Sequence, residues 1–456
     1  MQEIPFDLLT KYNVPIPRYT SYPTVPFWEE KIDSDHWKLL FTRRFQESNA
    51  QEGISLYIHL PYCESLCTFC GCNKRITTNH SVEKEYIDTL IKEWNLYKIL
   101  MGQKPVIREF HIGGGTPTFF SPENLKRLLA AIFHDSIVPE EHEFGFEGHP
   151  NNTTKAHLKM FRSFGFNRVS FGMQDSNLEV QQIINRIQPL KNVKRVVKWA
   201  RELGYESINL DLVYGLPRQD LPKITKTIED AMAIRPDRIA FYSYAHVPWT
   251  SRAQRLFDER DLPHANQKMA LYQQGKNMLI KAGAGYVDIG IDHFALPADQ
   301  MVLAHSDGSL HRNFMGYTVQ KTGLLLGLGV SSISDIYFGF AQNKKSISEY
   351  FEQIARQELA IFKGYFLTKT DQKMRQYILD IACQGRTNFN ENDLAILQEF
   401  TFGELEDLAK DGLLHFGKYG VELTELGKHF TRNVCKAFDL KLLSSELLEK
   451  SFSQAI

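Results

Sequence analysis

Residues 54–74 read Ile54-Ser55-Leu56-Tyr57-Ile58-His59-Leu60-Pro61-Tyr62-Cys63-Glu64-Ser65-Leu66-Cys67-Thr68-Phe69-Cys70-Gly71-Cys72-Asn73-Lys74. A strand-like run stops at Pro61, and four of the six cysteines follow within ten residues. The thiols therefore sit on a loop leaving the C-terminal end of a strand, where open α/β sheets and barrels place their chemistry. With the spacing C-x3-C-x2-C-x-C, Cys63, Cys67 and Cys70 can converge from one short loop on one centre, and Cys72 comes two residues later. Three thiolates leave one iron of a 4Fe-4S cluster without a protein ligand, whereas electron-transfer ferredoxins use four cysteines. A structural zinc site prefers two cysteine pairs separated by a longer loop, and no second pair exists here.

Outward from this loop, short apolar runs alternate with longer amphipathic segments, the pattern of βα units and a parallel sheet. Strands are expected at 54–60, 106–112, 143–147, 167–171, 207–213 and 237–243, and helices at 83–100, 122–133, 158–164 and 193–203. Six units suggest a partial barrel, open enough to admit a large substrate from the side. Each strand ends in residues suited to a site. Gly113-Gly114-Gly115-Thr116-Pro117 follows the second, where absent side chains let backbone approach a ligand. No Gly-Lys-Ser/Thr follows, so it is not a phosphate loop. Glu147 and His149 follow the third strand, Gln174 and Asp175 the fourth, Asp211 the fifth, and Tyr244, Ala245 and His246 the sixth. A carboxylate aimed into an apolar barrel mouth is costly unless it is paired. Glu147 and Asp211 recover that cost by holding ribose hydroxyls or an ammonium, and Arg186 is placed to meet a carboxylate.

The flanks differ from this core. Residues 1–52 form an N-terminal arm in which Val14 to Pro26 holds four prolines, too many for a regular helix or a central strand. Such an arm is either a surface strap or a lid presenting Arg18, Tyr19 and Tyr22 to a pocket. The barrel is expected over 53–345, followed by a mainly helical, winged-helix-like domain over 346–456. That domain shows no basic stripe, which favours a covering role over nucleic-acid binding. Lys plus Arg total 53 against 54 Asp plus Glu, so no global field draws nucleic acid or an anionic membrane, and any anionic ligand must be held by local bases. Six cysteines in 456 residues, no signal peptide and no apolar run long enough to span a bilayer describe a cytoplasmic protein in a reducing compartment. Cys383 and Cys435 lie in helical patterns and read as buried small apolar residues.

C-x3-C-x2-C resembles the signature of the radical S-adenosylmethionine (SAM) enzymes. Read with Pro17 to Thr24, Gly71-Cys72-Asn73-Lys74, Gly113 to Thr118, Asp211 to Pro217 and His311 to Tyr317, nearly the whole chain resembles the oxygen-independent coproporphyrinogen III oxidase (dehydrogenase) family. The resemblance implies an α/β fold, a partial (β/α)6 radical SAM barrel, and oxidative decarboxylation of two propionates of coproporphyrinogen III to vinyl groups, giving protoporphyrinogen IX in haem synthesis. It implies a 4Fe-4S cluster on Cys63, Cys67 and Cys70 and two SAM molecules. Tyr57, Gly114, Glu147 and Ile333 would contact the first SAM. Phe69, Gly115, Thr116, Gln174, Arg186, Asp211 and Ala245 would contact the second. Cys72 would be a nearby non-ligand; Cys72, Tyr57 and Arg18 are expected to be catalytic. An electron donor such as flavodoxin or ferredoxin is implied, and the chain is expected to act as a monomer without nucleic acid or membrane.

A propionate β-hydrogen is not acidic, which suits removal as an atom by a 5'-deoxyadenosyl radical rather than by a base. The competing readings are another radical SAM enzyme acting on haem or a porphyrin, such as a methyltransferase, and a haem-binding chaperone. One departure stands out: the family usually reads Glu-x-Asp-Pro after the third strand, and this chain reads Glu147-Gly148-His149-Pro150.

Overall fold

The computed structural model describes residues 4–249, 251–281, 283, 285–445 and 452–455. Six strands, β1 (Ile54–Leu60), β2 (Ile107–Gly114), β3 (Glu143–Gly148), β4 (Arg168–Gln174), β5 (Ser207–Tyr214) and β6 (Arg238–Ser243), pair in sequence order, each parallel to the one before. These are the six expected strands, differing at their ends. Six of the seven residues of β1 are buried, as in a parallel strand covered on both faces. The connecting helices Val82–Met101, Pro122–Phe133, Lys155–Ser163, Leu190–Glu202 and Leu221–Ile234 contribute their apolar residues to the same core as the strands. Three of these helices are capped locally at their starts: Ser121 accepts from Asn124 N, Thr154 and His157 form a reciprocal pair, and Asp220 accepts from Lys223 N.

The sheet is larger than six units. In sequence order, β7 (Val287–Gly290) and β8 (His293–Ala295) extend it antiparallel beyond β6, while β9 (Leu325–Leu328) lies parallel beside β1 as a seventh parallel strand. Beyond β9 the order continues through β10 (Ile333–Asp335), β11 (Gly339–Asn343) and β12 (Ile361–Phe366), ending on the two-residue strand Glu29–Glu30. The expected boundary at 345/346 therefore falls inside the sheet-bearing unit, because β12 pairs with β11. Helix Ile347–Ala355 also belongs there, since its Tyr350 and Phe351 pack on Tyr86. The winged-helix-like unit begins only after β12: helix Lys369–Gln384, helix Phe402–Lys410 and the antiparallel strands Arg386–Asn388, Leu414–Gly417 and Gly420–Leu423 surround a second core.

Residues 1–52 divide into parts. Ser34–Ser48 is a helix capped by Asp33, with Trp37, Phe41 and Phe45 fully buried in the main core. The proline-rich stretch is a strap: Ile16, Tyr19 and Tyr22 are buried in the C-terminal core, and Tyr19 donates to Asp439 at 3.1 Å. Arg18 turns the other way and donates to the Ser243 carbonyl at 2.8 Å, joining the strap to the end of β6.

Glu93 ties the turn after β9 to the rest. Its carboxylate accepts from Gly329 N (2.7 Å), Tyr350 OH (2.7 Å) and Asn343 Nδ2 (2.6 Å), with no solvent exposure. Among the described residues, no helix is long and apolar enough to cross a membrane.

Candidate active site

The cysteine loop is fastened along its length. Thr68 N and Oγ1 donate to the carbonyls of Ile184 (3.0 Å) and Ile183 (3.2 Å), and Asn185 Nδ2 donates to the Leu66 carbonyl at 2.8 Å. Gln254 Nε2 bridges the carbonyls of Phe69 (3.0 Å) and Ala245 (3.1 Å), while Lys74 Nζ donates to that of Cys70 (3.0 Å). Held this way, the partly exposed Cys63, Cys67 and Cys70 and the exposed Cys72 line one cavity of about 380 Å³. Burial pushes the Cys63 thiol up to about 11, although the Thr116 hydroxyl donates to its sulfur at 3.3 Å. Cys70 is held below the ordinary thiol range by a hydrogen bond from Cys72, with Lys74 and Arg186 assisting.

The triple glycine brings the ends of β1 and β2 together. At Gly114, φ is +113° and a Cβ would stand 2.8 Å from the His59 ring; at Gly115 it would stand 2.6 Å from the Pro61 carbonyl oxygen. The close approach expected of a ligand is thus made at these two positions by the chain itself, drawing the cysteine loop over β2. Gly114 N donates to Glu147 Oε2 at 3.3 Å, and His111 Nε2 faces Glu147 Oε1 at 3.4 Å.

Opposite the loop, Asp211 accepts from Ser170 Oγ (2.9 Å) and Asn209 Nδ2 (2.7 Å). Burial and then the neighbouring Glu147 raise Asp211 to about 6. Arg186 Nη2 donates to the Gly172 carbonyl at 2.8 Å, and its buried Nε has no partner among the described residues. His149 is pushed down to about 2 by burial and then by Arg186, so it presents a neutral ring.

Of the residues expected at the site, Phe69, Gly114, Gly115, Thr116, Glu147, Gln174, Arg186 and Asp211 line this cavity with the four cysteines. Tyr57, Ala245, Ile333 and Arg18 stand outside its wall. Tyr57 stacks on His111 with centroids 6.2 Å apart, and Ile333 is buried against Trp28 and Phe340. Asp175 turns away to accept from Gln219 (2.7 Å) and Thr227 (3.1 Å), a buried loop anchor. The cavity also takes residues that an expectation built on strand ends misses: Glu109 and His111, Glu143, Arg168 and Ser170, Asn209, and Arg238 and Tyr242. All lie within strands at spacings of two, the period that puts side chains on one face of a sheet. Polar residues alternating with buried apolar ones are the signal that could have found them.

The Radical SAM superfamily profile matches residues 57–231. Over its full length the chain is similar to the oxygen-independent coproporphyrinogen III oxidase of Pseudomonas aeruginosa, 37% identical with 99% of this chain and 98% of the relative covered. The protein of the same name from Escherichia coli is 36% identical, with 100% of both covered. A solved structure of coproporphyrinogen III oxidase from Escherichia coli, described as a radical SAM enzyme, superposes with a TM-score of 0.88 at 35% identity, covering 96% of this chain and 100% of that one.

The chain belongs to the oxygen-independent coproporphyrinogen III oxidases. As a radical SAM member of that family it uses a 4Fe-4S cluster and SAM, and its cavity fits both. Thiols are the donor set of iron-sulfur clusters, and here they share a cavity with a guanidinium whose Nε has no partner among the described residues and with the carboxylates Glu147 and Asp211. Among the described residues, no three His, Cys, Asp or Glu side chains are drawn together as a single metal ion would need. A cluster that takes one thiolate on each of three irons does not require that convergence.

Proposed function

We propose that this chain carries out the reaction for which its family is named, the oxygen-independent decarboxylation of two propionates of coproporphyrinogen III to vinyl groups, giving protoporphyrinogen IX. The observation that carries the reading is one cavity shared by the cysteine loop, Glu147, Asp211 and Arg186. Cys63, Cys67 and Cys70 hold the cluster, each on a different iron. When bound, the cluster and SAM would supply the radical chemistry that removes a propionate β-hydrogen as an atom, and the loss of carbon dioxide that completes the vinyl group would need an acceptor for one electron.

The chain's own part is positioning and exclusion of water. Two SAM molecules are held: Gly114 and Glu147 serve the first, with Tyr57 and Ile333 behind the cavity wall, and Phe69, Gly115, Thr116, Gln174, Arg186 and Asp211 the second, with Ala245 behind the wall. Arg186 gives a cofactor carboxylate the charged partner its Nε lacks. Asp211, raised to about 6 by burial and by Glu147, is carried back toward the ordinary carboxylate range when a cationic sulfonium or ammonium arrives, which holds it charged. Cys72, an exposed thiol beside Cys70, meets the substrate at the cavity mouth, and Arg18 holds a substrate propionate. A one-electron donor such as flavodoxin or ferredoxin supplies the cluster.

Anaerobic incubation of reconstituted protein with SAM, dithionite and coproporphyrinogen III, followed by mass spectrometry, tests the reading. Protoporphyrinogen IX with methionine and 5'-deoxyadenosine is the expected result. S-adenosylhomocysteine would indicate a methyltransferase, and stable haem binding without turnover a chaperone.

A further inference from the structure

The C-terminal end of β6 carries a concentration of positive charge that the cysteine site does not use. Arg18 Nη2 donates to the Ser243 carbonyl at 2.8 Å, and Lys268 Nζ donates to the next carbonyl, that of Tyr244, at 2.9 Å. The carbonyl of Pro17, just before Arg18, accepts from Arg432 Nε at 3.1 Å. A fourth cation, Arg312, is 5% exposed, and its Nε and Nη1 have no hydrogen-bond partner among the described residues. Asp292 is the acid on which Arg18, Arg432 and Arg312 all act, with Asp288 also close to it. Buried guanidinium groups in excess of their counter-charge are unfavourable unless an anion joins them.

Geometry connects two of these cations to the cavity. The Arg18 guanidinium stands 6.0 Å from the centroid of the Tyr242 ring. Tyr242 meets His293 edge-on at 5.7 Å, and His293 meets Tyr317 edge-on at 5.2 Å. Arg312 then lies over the Tyr317 ring at 4.8 Å. The three rings line the cavity onto which the cysteine loop opens. A row of rings with a guanidinium at each end matches a ligand with an apolar ring body and carboxylates on its edge.

We infer that Arg18 and Arg312 bind two carboxylates of one tetrapyrrole, with Tyr242, His293 and Tyr317 bounding its ring system between them. This rests on the proposed function and adds Arg312 and the ring row as the part of the chain that recognises propionates. SAM also carries a carboxylate, so the test must separate the two sources.

The reconstituted holoenzyme, without SAM, is titrated anaerobically with coproporphyrin III, the oxidised four-carboxylate form, and with its tetramethyl ester, by fluorescence quenching. Wild type should bind the acid more tightly than the ester. Arg312→Gln should weaken acid binding roughly tenfold or more, the loss of one charge-assisted contact, with the ester bound as by wild type. Arg312→Lys should recover part of the loss, keeping the charge without the planar fork. Asp292→Asn removes the competing acid and should tighten acid binding.

Unchanged acid binding in Arg312→Gln, or equal weakening for acid and ester, would overturn the site. So would weaker acid binding in Asp292→Asn, or a rise in the SAM Kd of Arg312→Gln in place of the porphyrin effect. Should Arg312→Gln fail to fold, Arg312→Lys and Asp292→Asn decide by the same comparison. Wild-type turnover of coproporphyrinogen III separates the two levels. Turnover with normal acid binding in Arg312→Gln removes this site alone, whereas charge-dependent binding without wild-type turnover removes the proposed reaction and leaves the site.

Discussion

Arg186 Nη1 lies 3.6 Å from the Cys67 sulfur, so one guanidinium joins the cysteine loop to β4, where its Nη2 holds the Gly172 carbonyl. Its third nitrogen, Nε, is buried without a partner among the described residues, and a carboxylate is the group that would satisfy it. Arg186→Ala should raise the KM for SAM about ten- to hundredfold, the equivalent of one charge-assisted contact of about 1.5–3 kcal/mol. Steady-state SAM cleavage checks this; a KM equal to that of wild type would return Arg186 to a purely structural role.

The thiols should divide three to one. Cys63→Ala, Cys67→Ala and Cys70→Ala should each fail to hold the cluster, because under the proposed assignment each removes the only protein ligand of one iron. Cys72→Ala should keep iron and sulfide but lose coproporphyrinogen turnover, since this thiol is exposed beside Cys70 rather than needed as a ligand. Iron and sulfide analysis after anaerobic reconstitution decides, and a full complement in any of the first three variants would defeat the ligand assignment.

Much of the fold and the site is legible in the sequence, for reasons that differ by element. The strands from β1 to β6 show as largely apolar runs between amphipathic helices because one face packs against those helices, while polar side chains of β2 to β6 on the other line the cavity. The four cysteines that line the cavity show through their clustering in ten residues after a strand. β9 does not show: Leu325–Leu328 is four residues long, and its partner β1 lies far earlier in the chain. β12 sits hidden in a stretch of helical patterns because five of its six residues are half-buried and show no alternation. The prolines of the arm rule out a helix without saying where Tyr19 and Tyr22 dock. Tyr57, Ala245 and Ile333 rest on the resemblance, and their side chains stand behind the cavity wall in the described structure. The charged residues within the strands are readable only by their spacing of two, a signal that strand ends do not carry.

Glu93 should make stability depend on pH. Burial raises it to about 7, against the lowering effect of its hydrogen bonds from Tyr350, Gly329 and Asn343. Between the ordinary carboxylate value of about 4.5 and about 7, the folded chain holds a proton that the unfolded chain releases. This contribution is complete below about 4.5, declines as pH rises, and is gone above about 7. Glu93→Gln does not titrate, so wild type should lose Tm relative to the variant as pH rises through that window. Parallel Tm profiles for the two proteins would contradict it.

Arg18 reaches the end of β6 from a strap whose other residues are buried in the C-terminal core, so its substitution should leave the strap in place. Arg18→Ala should raise the KM for coproporphyrinogen III roughly ten- to hundredfold, one propionate contact being worth about 1.5–3 kcal/mol. The KM for SAM should move much less. Deleting the strap is a poorer test, because it would also expose Ile16, Tyr19 and Tyr22 and the core they close. Normal coproporphyrinogen kinetics in Arg18→Ala would leave the residue only its bond to Ser243.

Removal of a hydrogen atom from a substrate propionate is the step on which the proposed reaction depends, and label transfer reads it without an intermediary. Coproporphyrinogen III deuterated at the propionate β-carbons is incubated anaerobically with reconstituted protein, SAM and dithionite, and the nucleoside product is examined by mass spectrometry. Deuterium in 5'-deoxyadenosine together with protoporphyrinogen IX is the expected result. Unlabelled 5'-deoxyadenosine beside a decarboxylated product, or no decarboxylation at all by a protein that holds its full cluster, would contradict it.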